Sequence, residues 1–179
     1  MGMYVLFGVL AVVVVVAAVI WVQPSAFSVV RTTKIKGPPR AAFDLVNDFH
    51  QWRVWSPWEN IDPNLQRTYS GCEFGLDAIY AWVGNKGVGE GRMTIVESVP
   101  PELIRIKLEF LKPFEATNAA EFTFVPEGDE TIVTWTMTGT KNFMMKGFGL
   151  FMNMDKMIGA DFEKGLAGMK SAVESGPKM

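Results

Sequence analysis

Apolar and polar residues alternate with a period of two along much of the chain, and that period is the signature of a half-buried strand. In LIRIKLEFL, residues 103–111, Ile104, Ile106, Leu108 and Phe110 fall on one side while Arg105, Lys107 and Glu109 fall on the other. The pattern predicts a sheet with one dry face and one wet face. AEFTF, residues 120–124, repeats it with Phe122 and Phe124, and TIVTWTM, residues 131–137, does so with Val133, Trp135 and Met137. Upstream, AIYAWV and GRMTIVESV flank Gly84-Asn85-Lys86-Gly87, a hairpin signal, and Pro126-Glu127-Gly128-Asp129 turns between the last two strands. Connections this short make antiparallel neighbours. A first strand is predicted over AFSVVRTTKIK, residues 26–36, where Phe27, Val29 and Ile35 share one parity.

Elsewhere the spacing changes to three and four. After Gly37-Pro38-Pro39, the stretch RAAFDLVNDF sets Phe43, Val46 and Phe49 on one side of a short helix, with Pro39 suited to its first turn. From Phe143 to Glu174 the positions Phe148, Met152, Asp155, Gly159, Phe162, Leu166, Met169 and Val173 trace one stripe. They predict a long helix, ragged at its start because of Gly147 and Gly149 and closed by Gly176-Pro177. An antiparallel sheet curved around one long C-terminal helix is an α+β arrangement.

One segment has no polar period at all. Residues 4–22, YVLFGVLAVVVVVAAVIWV, carry no charge, and at about 1.5 Å per residue they match roughly the 30 Å of a bilayer core. The expectation is a transmembrane anchor over 4–22, a linker over 23–25 and a globular domain over 26–174. A cleaved signal peptide, with Ser25-Ala26 as a poor cleavage site, and a buried core helix are the competing readings. Arg31, Lys34, Lys36 and Arg40 follow the segment without an acid among residues 23–42, which favours a single-pass membrane protein with a cytoplasmic C-terminal domain.

Composition sharpens this only at a few points. The hydrophobic fraction of 49% owes its excess to that segment, and a formal net charge of -2 offers no basic stripe for nucleic acid. A single cysteine, Cys72, forms no internal disulfide. No zinc spacing appears, GNKGVGEG lies in a hairpin rather than between a strand and a helix, and the one histidine, His50, sits at the end of a short helix. No catalytic residue, metal ligand or cofactor is assigned. Carboxylate chemistry by Asp155, Glu59 or Glu115 stays open, although Glu59 and Glu115 read first as solvated loop acids.

Two features call for explanation. HQWRVWSPWE, residues 50–59, holds three of the six tryptophans, and Pro57 prevents them from sharing one straight helix. Asp155 falls inside the apolar stripe of the long helix, where an unpaired carboxylate would cost several kcal/mol. Either it pairs with Arg92, a tryptophan N–H or Tyr80 at the bottom of a pocket, or Asn153 or Asp155 caps a break in the helix.

The strings WRVWSPWE, RTYSG (67–71), YAWVGNKGVGEGRM (80–93), FLKPFEATNAAEFTF (110–124), TWTMTG (134–139) and GLFMNMDKMIGADFEKGL (149–166), in this order of elements, resemble the START and Bet v 1-like (SRPBCC) superfamily. Within it they are similar to the polyketide cyclase/dehydrase and lipid-transport-like group over about residues 26–174. The resemblance implies a helix-grip fold with a cavity between sheet and C-terminal helix that takes a hydrophobic small molecule or lipid. Trp52 and Trp55 are expected at its wall and mouth, the alternative being ordinary core filling under a loop. Tyr80, Trp82, Phe110, Phe122, Trp135, Met152 and Asp155 complete the expected lining. The reading leans to a membrane-tethered binding or carrier domain. Its alternatives are a cyclase or dehydratase acting on a bound apolar substrate, and a ligand-free interaction domain like those of co-chaperones.

Overall fold

The computed structural model describes residues 2–149 and 153–176, and among these the side chains of all but 2–5, 148 and 154. Its centre is one seven-stranded antiparallel sheet in the order β1-β7-β6-β5-β4-β3-β2. The strands are β1 (Ala26–Lys36), β2 (Gln66–Gly71), β3 (Ala78–Val83), β4 (Glu90–Val99), β5 (Leu103–Lys112), β6 (Ala116–Glu127) and β7 (Glu130–Thr140). Alternation sorts their side chains as the sequence predicts. Ile104, Ile106, Phe122, Phe124, Val133 and Trp135 are buried on the inner face. The outer face carries ion pairs, with Arg105 reaching Glu97 and Glu121 on the neighbouring strands and Glu109 receiving Arg92 across strands and Lys107 from its own. The apolar pattern does not mark β2, because on this edge strand only Arg67 and Tyr69 are even partly buried.

Helix α2 (Pro39–Asn47) begins with Pro39 in its first turn and buries Ala42, Phe43 and Val46. A single turn, α3 (Trp52–Trp55), ends where Ser56, extended at φ −72 and ψ 126, precedes Pro57. The three tryptophans are divided as the proline requires: Trp58 lies in a following 3-10 turn over Pro57–Asn60.

The long C-terminal helix is in two pieces, α4 (Phe143–Gly149) and α5 (Met154–Glu174). Asn153 caps α5, its side-chain oxygen accepting from the Lys156 amide at 3.1 Å, so the capping alternative holds at this break. Helix α5 runs alongside β1 in the same direction. Asp155 meets Arg31, the Lys170 ammonium reaches the Lys34 carbonyl at 2.7 Å, and Glu174 accepts from the Lys36 amide at 2.8 Å. Phe162, Leu166 and Met169 turn into the sheet and are buried.

The apolar N-terminal run forms a helix, α1 (Gly2–Val22), but the membrane expectation is corrected. Among the described residues no helix is long and apolar enough to cross a membrane. A single-pass placement, with a membrane as partner and a cytoplasmic domain beyond it, is therefore not upheld. Helix α1 instead touches α4, where the Lys146 ammonium donates to the Trp21 carbonyl at 3.3 Å.

Candidate functional site

Antiparallel register places the inner-facing residues in rows that cross the sheet. One row, Tyr69, Tyr80, Met93, Leu108, Asn118, Gly139 and Phe27, spans all seven strands. The next row on one side is Trp82, Gly91, Phe110 and Ala116. On the other side lie Ile95, Ile106, Ala120, Met137 and Val29, and beyond them Ile104, Phe122, Trp135 and Arg31.

The two deeper rows are closed by aromatic packing. Trp135 stacks on Phe162 of α5 with centroids 3.9 Å apart and on Phe122 at 4.8 Å. Trp55 meets Trp135 edge-on at 5.6 Å, and Trp52 lies 4.7 Å from Trp55. The indole N–H of Trp52 donates to the Val46 carbonyl at 3.1 Å and that of Trp55 to the Leu45 carbonyl at 2.9 Å, pinning α3 to α2. The Trp135 N–H is buried and has no partner among the described residues.

Toward the other end the inner face is less completely covered. Phe27, Leu108 and Phe110 face the same side as Ile104 and Ile106, yet they are only partly buried, as is Trp58 above Trp135. This is the end where α1 leads into β1, where β7 leads into α4, and where α5 starts. Its rim is apolar and exposed: Phe114 in the β5–β6 connection, Phe143 and Met144 in α4, and Met157 in α5. Glycine and a short polar residue shape the floor. A methyl group on Gly139 would overlap the Asn118 side-chain oxygen and come within 2.8 Å of the Phe27 ring, so the Asn118 carboxamide lies across the glycine. Asn118 is 8% exposed.

A buried polar cluster borders this floor at β2 and β3. Glu59, 7% exposed, accepts from the Tyr80 hydroxyl at 2.6 Å and from Arg67 Nε at 2.6 Å. Arg67 donates further to the Glu59 and Leu65 carbonyls at 2.9 and 3.0 Å. Burial, then the hydrogen bond to Glu59, pushes the Tyr80 hydroxyl well above the usual phenol range, and the same carboxylate raises Arg67. Glu59 is therefore not the solvated loop acid that its neighbourhood in sequence suggests. The Tyr69 hydroxyl beside the cluster is buried without a partner among the described residues, and His50 stacks on the Tyr69 ring at 4.0 Å.

The expected lining residues separate into groups. Tyr80, Trp82 and Phe110 stand in the two rows toward the less covered end, whereas Trp52, Trp55, Phe122 and Trp135 are buried among the deeper rows. Asp155 does not reach a pocket bottom. It is exposed and paired with Arg31, which holds its carboxyl below the usual carboxylate range. Met152 lies outside the described residues. Sequence alone does not single out Phe27, Leu108, Asn118 and Gly139 as a group. One signal is available, since Asn118 shares parity with Ala120, Phe122 and Phe124 and so places a polar group on the dry face. A depression of about 520 Å³ lies on the opposite, outer face, bordered by Val96, Arg105, Lys107, Thr117, Ala119 and Thr138 and reaching Asn118 and Gly139. Its arginine is committed to Glu97 and Glu121. Among the described residues no group of three side chains is placed to hold a metal ion.

Comparison with known proteins agrees with this architecture. The family model described as polyketide cyclase / dehydrase and lipid transport matches residues 26–174. No curated protein matches the chain. The di-domain ARO/CYC BexL from the BE-7585A biosynthetic pathway superposes with a TM-score of 0.63 at 15% identity, covering 88% of this chain and 53% of that one. The Aha1 dimer from Colwellia psychrerythraea gives 0.59 at 12% identity, covering 83% and 96%. A protein of Thermus thermophilus gives 0.60 at 18% identity, covering 83% and 98%. At these identities the likeness is one of fold.

Proposed function

Because the chain belongs to the polyketide cyclase/dehydrase and lipid transport family, we propose that it binds a hydrophobic small molecule or lipid in the open end of the gap between sheet and α5. One observation carries this reading. Phe27, Leu108 and Phe110 point at the helix from the dry face of the sheet but keep contact with solvent, and apolar surface in a concavity is what a greasy guest covers. Trp58 and Trp82 flank that surface with flat rings, and Met137 lies one row deeper. The deep tryptophans hold the scaffold rigid and do not line the guest.

A cyclase-type reading draws on a different observation, the buried Glu59, Arg67 and Tyr80 beside the same floor. Their hydrogen bonds are directed at one another, so the cluster supports the wall more directly than it supports proton transfer to a guest. Binding without turnover is accordingly the preferred reading.

The test fills the opening. Leu108→Trp should be accommodated with melting temperature nearly unchanged, where a closed core would lose about 1–3 kcal/mol to overpacking. The neutral fluorophore N-phenyl-1-naphthylamine should brighten with the wild-type chain, and Leu108→Trp should lose at least about tenfold in affinity, roughly 1.4 kcal/mol. Equal binding by both chains would place the fluorophore elsewhere and overturn the site.

A further inference from the structure

Among the described residues, Asn118 is the one polar side chain on the floor of the opening between Met93 and Phe27, and nine-tenths of it is buried. Its row neighbours are Leu108 and Gly139, and no side-chain hydrogen bond involving Asn118 occurs among the described residues. Gly139 leaves the carboxamide its place, because any larger residue there would push into both Asn118 and Phe27. An amide on the dry face of a sheet is unfavourable unless its donor and acceptor find partners, and an apolar residue of the same size would serve packing better. Burial combined with a glycine that makes room for the amide therefore points to a recognition role.

We propose that Asn118 hydrogen-bonds the guest and selects for a mostly apolar molecule that carries a hydroxyl or carbonyl oxygen. The inference rests on the hydrophobic site proposed above and adds the polarity of its occupant. A carboxamide both donates and accepts, so it serves either oxygen.

The test compares naphthalene with 2-naphthol, which share an apolar body and differ by one hydroxyl. The wild-type chain should hold 2-naphthol at least as tightly as naphthalene, the hydrogen bond to Asn118 offsetting the hydroxyl's lost hydration. In Asn118→Leu the ratio of the two dissociation constants should shift about tenfold toward naphthalene, while thermal stability is kept or raised. Gly139→Ala, which displaces the carboxamide without removing it, should move the ratio in the same direction. A ratio unchanged within about twofold in Asn118→Leu would overturn the role of Asn118 and leave the hydrophobic site standing. Binding of neither compound to the wild-type chain would overturn that site and this inference together.

Discussion

Glu59 is the residue at which charge, burial and packing are most tightly joined. It accepts from Arg67 and Tyr80 at once, at 2.6 Å each, with both partners largely withdrawn from water. Replacing it with leucine keeps the volume and strands two donors, so Glu59→Leu should lose about 3 kcal/mol in urea unfolding. Exchanging Arg67 for methionine in the same chain should recover part of that loss, because it removes the uncompensated charge. Sequence reasoning could not see this triad. Glu59 follows a tryptophan in a proline-rich turn and looks like any loop acid, and only the pairing of β2 with β3 brings Arg67 and Tyr80 to it. Asn118 was more accessible, for its parity alone puts it on the dry face. What parity withholds is its neighbours, which depend on register across three strands.

The elements themselves were largely legible, since period-two alternation gave six of the seven strands and proline placed the start of α2. The exception is the break between α4 and α5. A continuous stripe of apolar positions suggested one helix, whereas Asn153 caps a new one and turns Asp155 outward to Arg31. That pairing fastens the first half of α5 to β1: Arg31 lies against Gly159 and reaches Asp155 on one side and Glu163 at 2.8 Å on the other. Arg31→Gln should increase amide hydrogen exchange over residues 155–163 while leaving 166–174 protected. The pH dependence has a definite sign. The Asp155 carboxyl is held below its ordinary value by the hydrogen bond from Arg31, so its contribution is present above the unfolded-state value and fades as pH falls through the depressed folded-state value. Stability measured from about pH 5 down to about pH 2 should therefore fall less steeply in Arg31→Gln than in the wild-type chain, most visibly below about pH 4.

At the scale of the molecule, α5 and the sheet pack tightly at one end, and the apolar face of the sheet is less covered at the other. The closed end owes its rigidity to stacked and edge-on rings running from Trp52 through Trp55 and Trp135 to Phe162. The open end exposes Phe114, Phe143, Met144 and Met157 around partly buried Phe27, Leu108 and Phe110, and α1 arrives beside it through Lys146 of α4. Trp52 and Trp55 of the tryptophan-rich stretch are buried in this packing. Large aromatics mark buried area as readily as binding area, and only the fold decides which. Chemical-shift mapping by NMR, on titrating N-phenyl-1-naphthylamine into the full chain, is the most direct test of the open end as a binding site. The account predicts that the largest shifts fall on Phe27, Leu108, Phe110, Asn118 and Met137. Shifts confined to residues 6–22 or to the outer face around Val96 and Arg105, or no shifts at all, would contradict it.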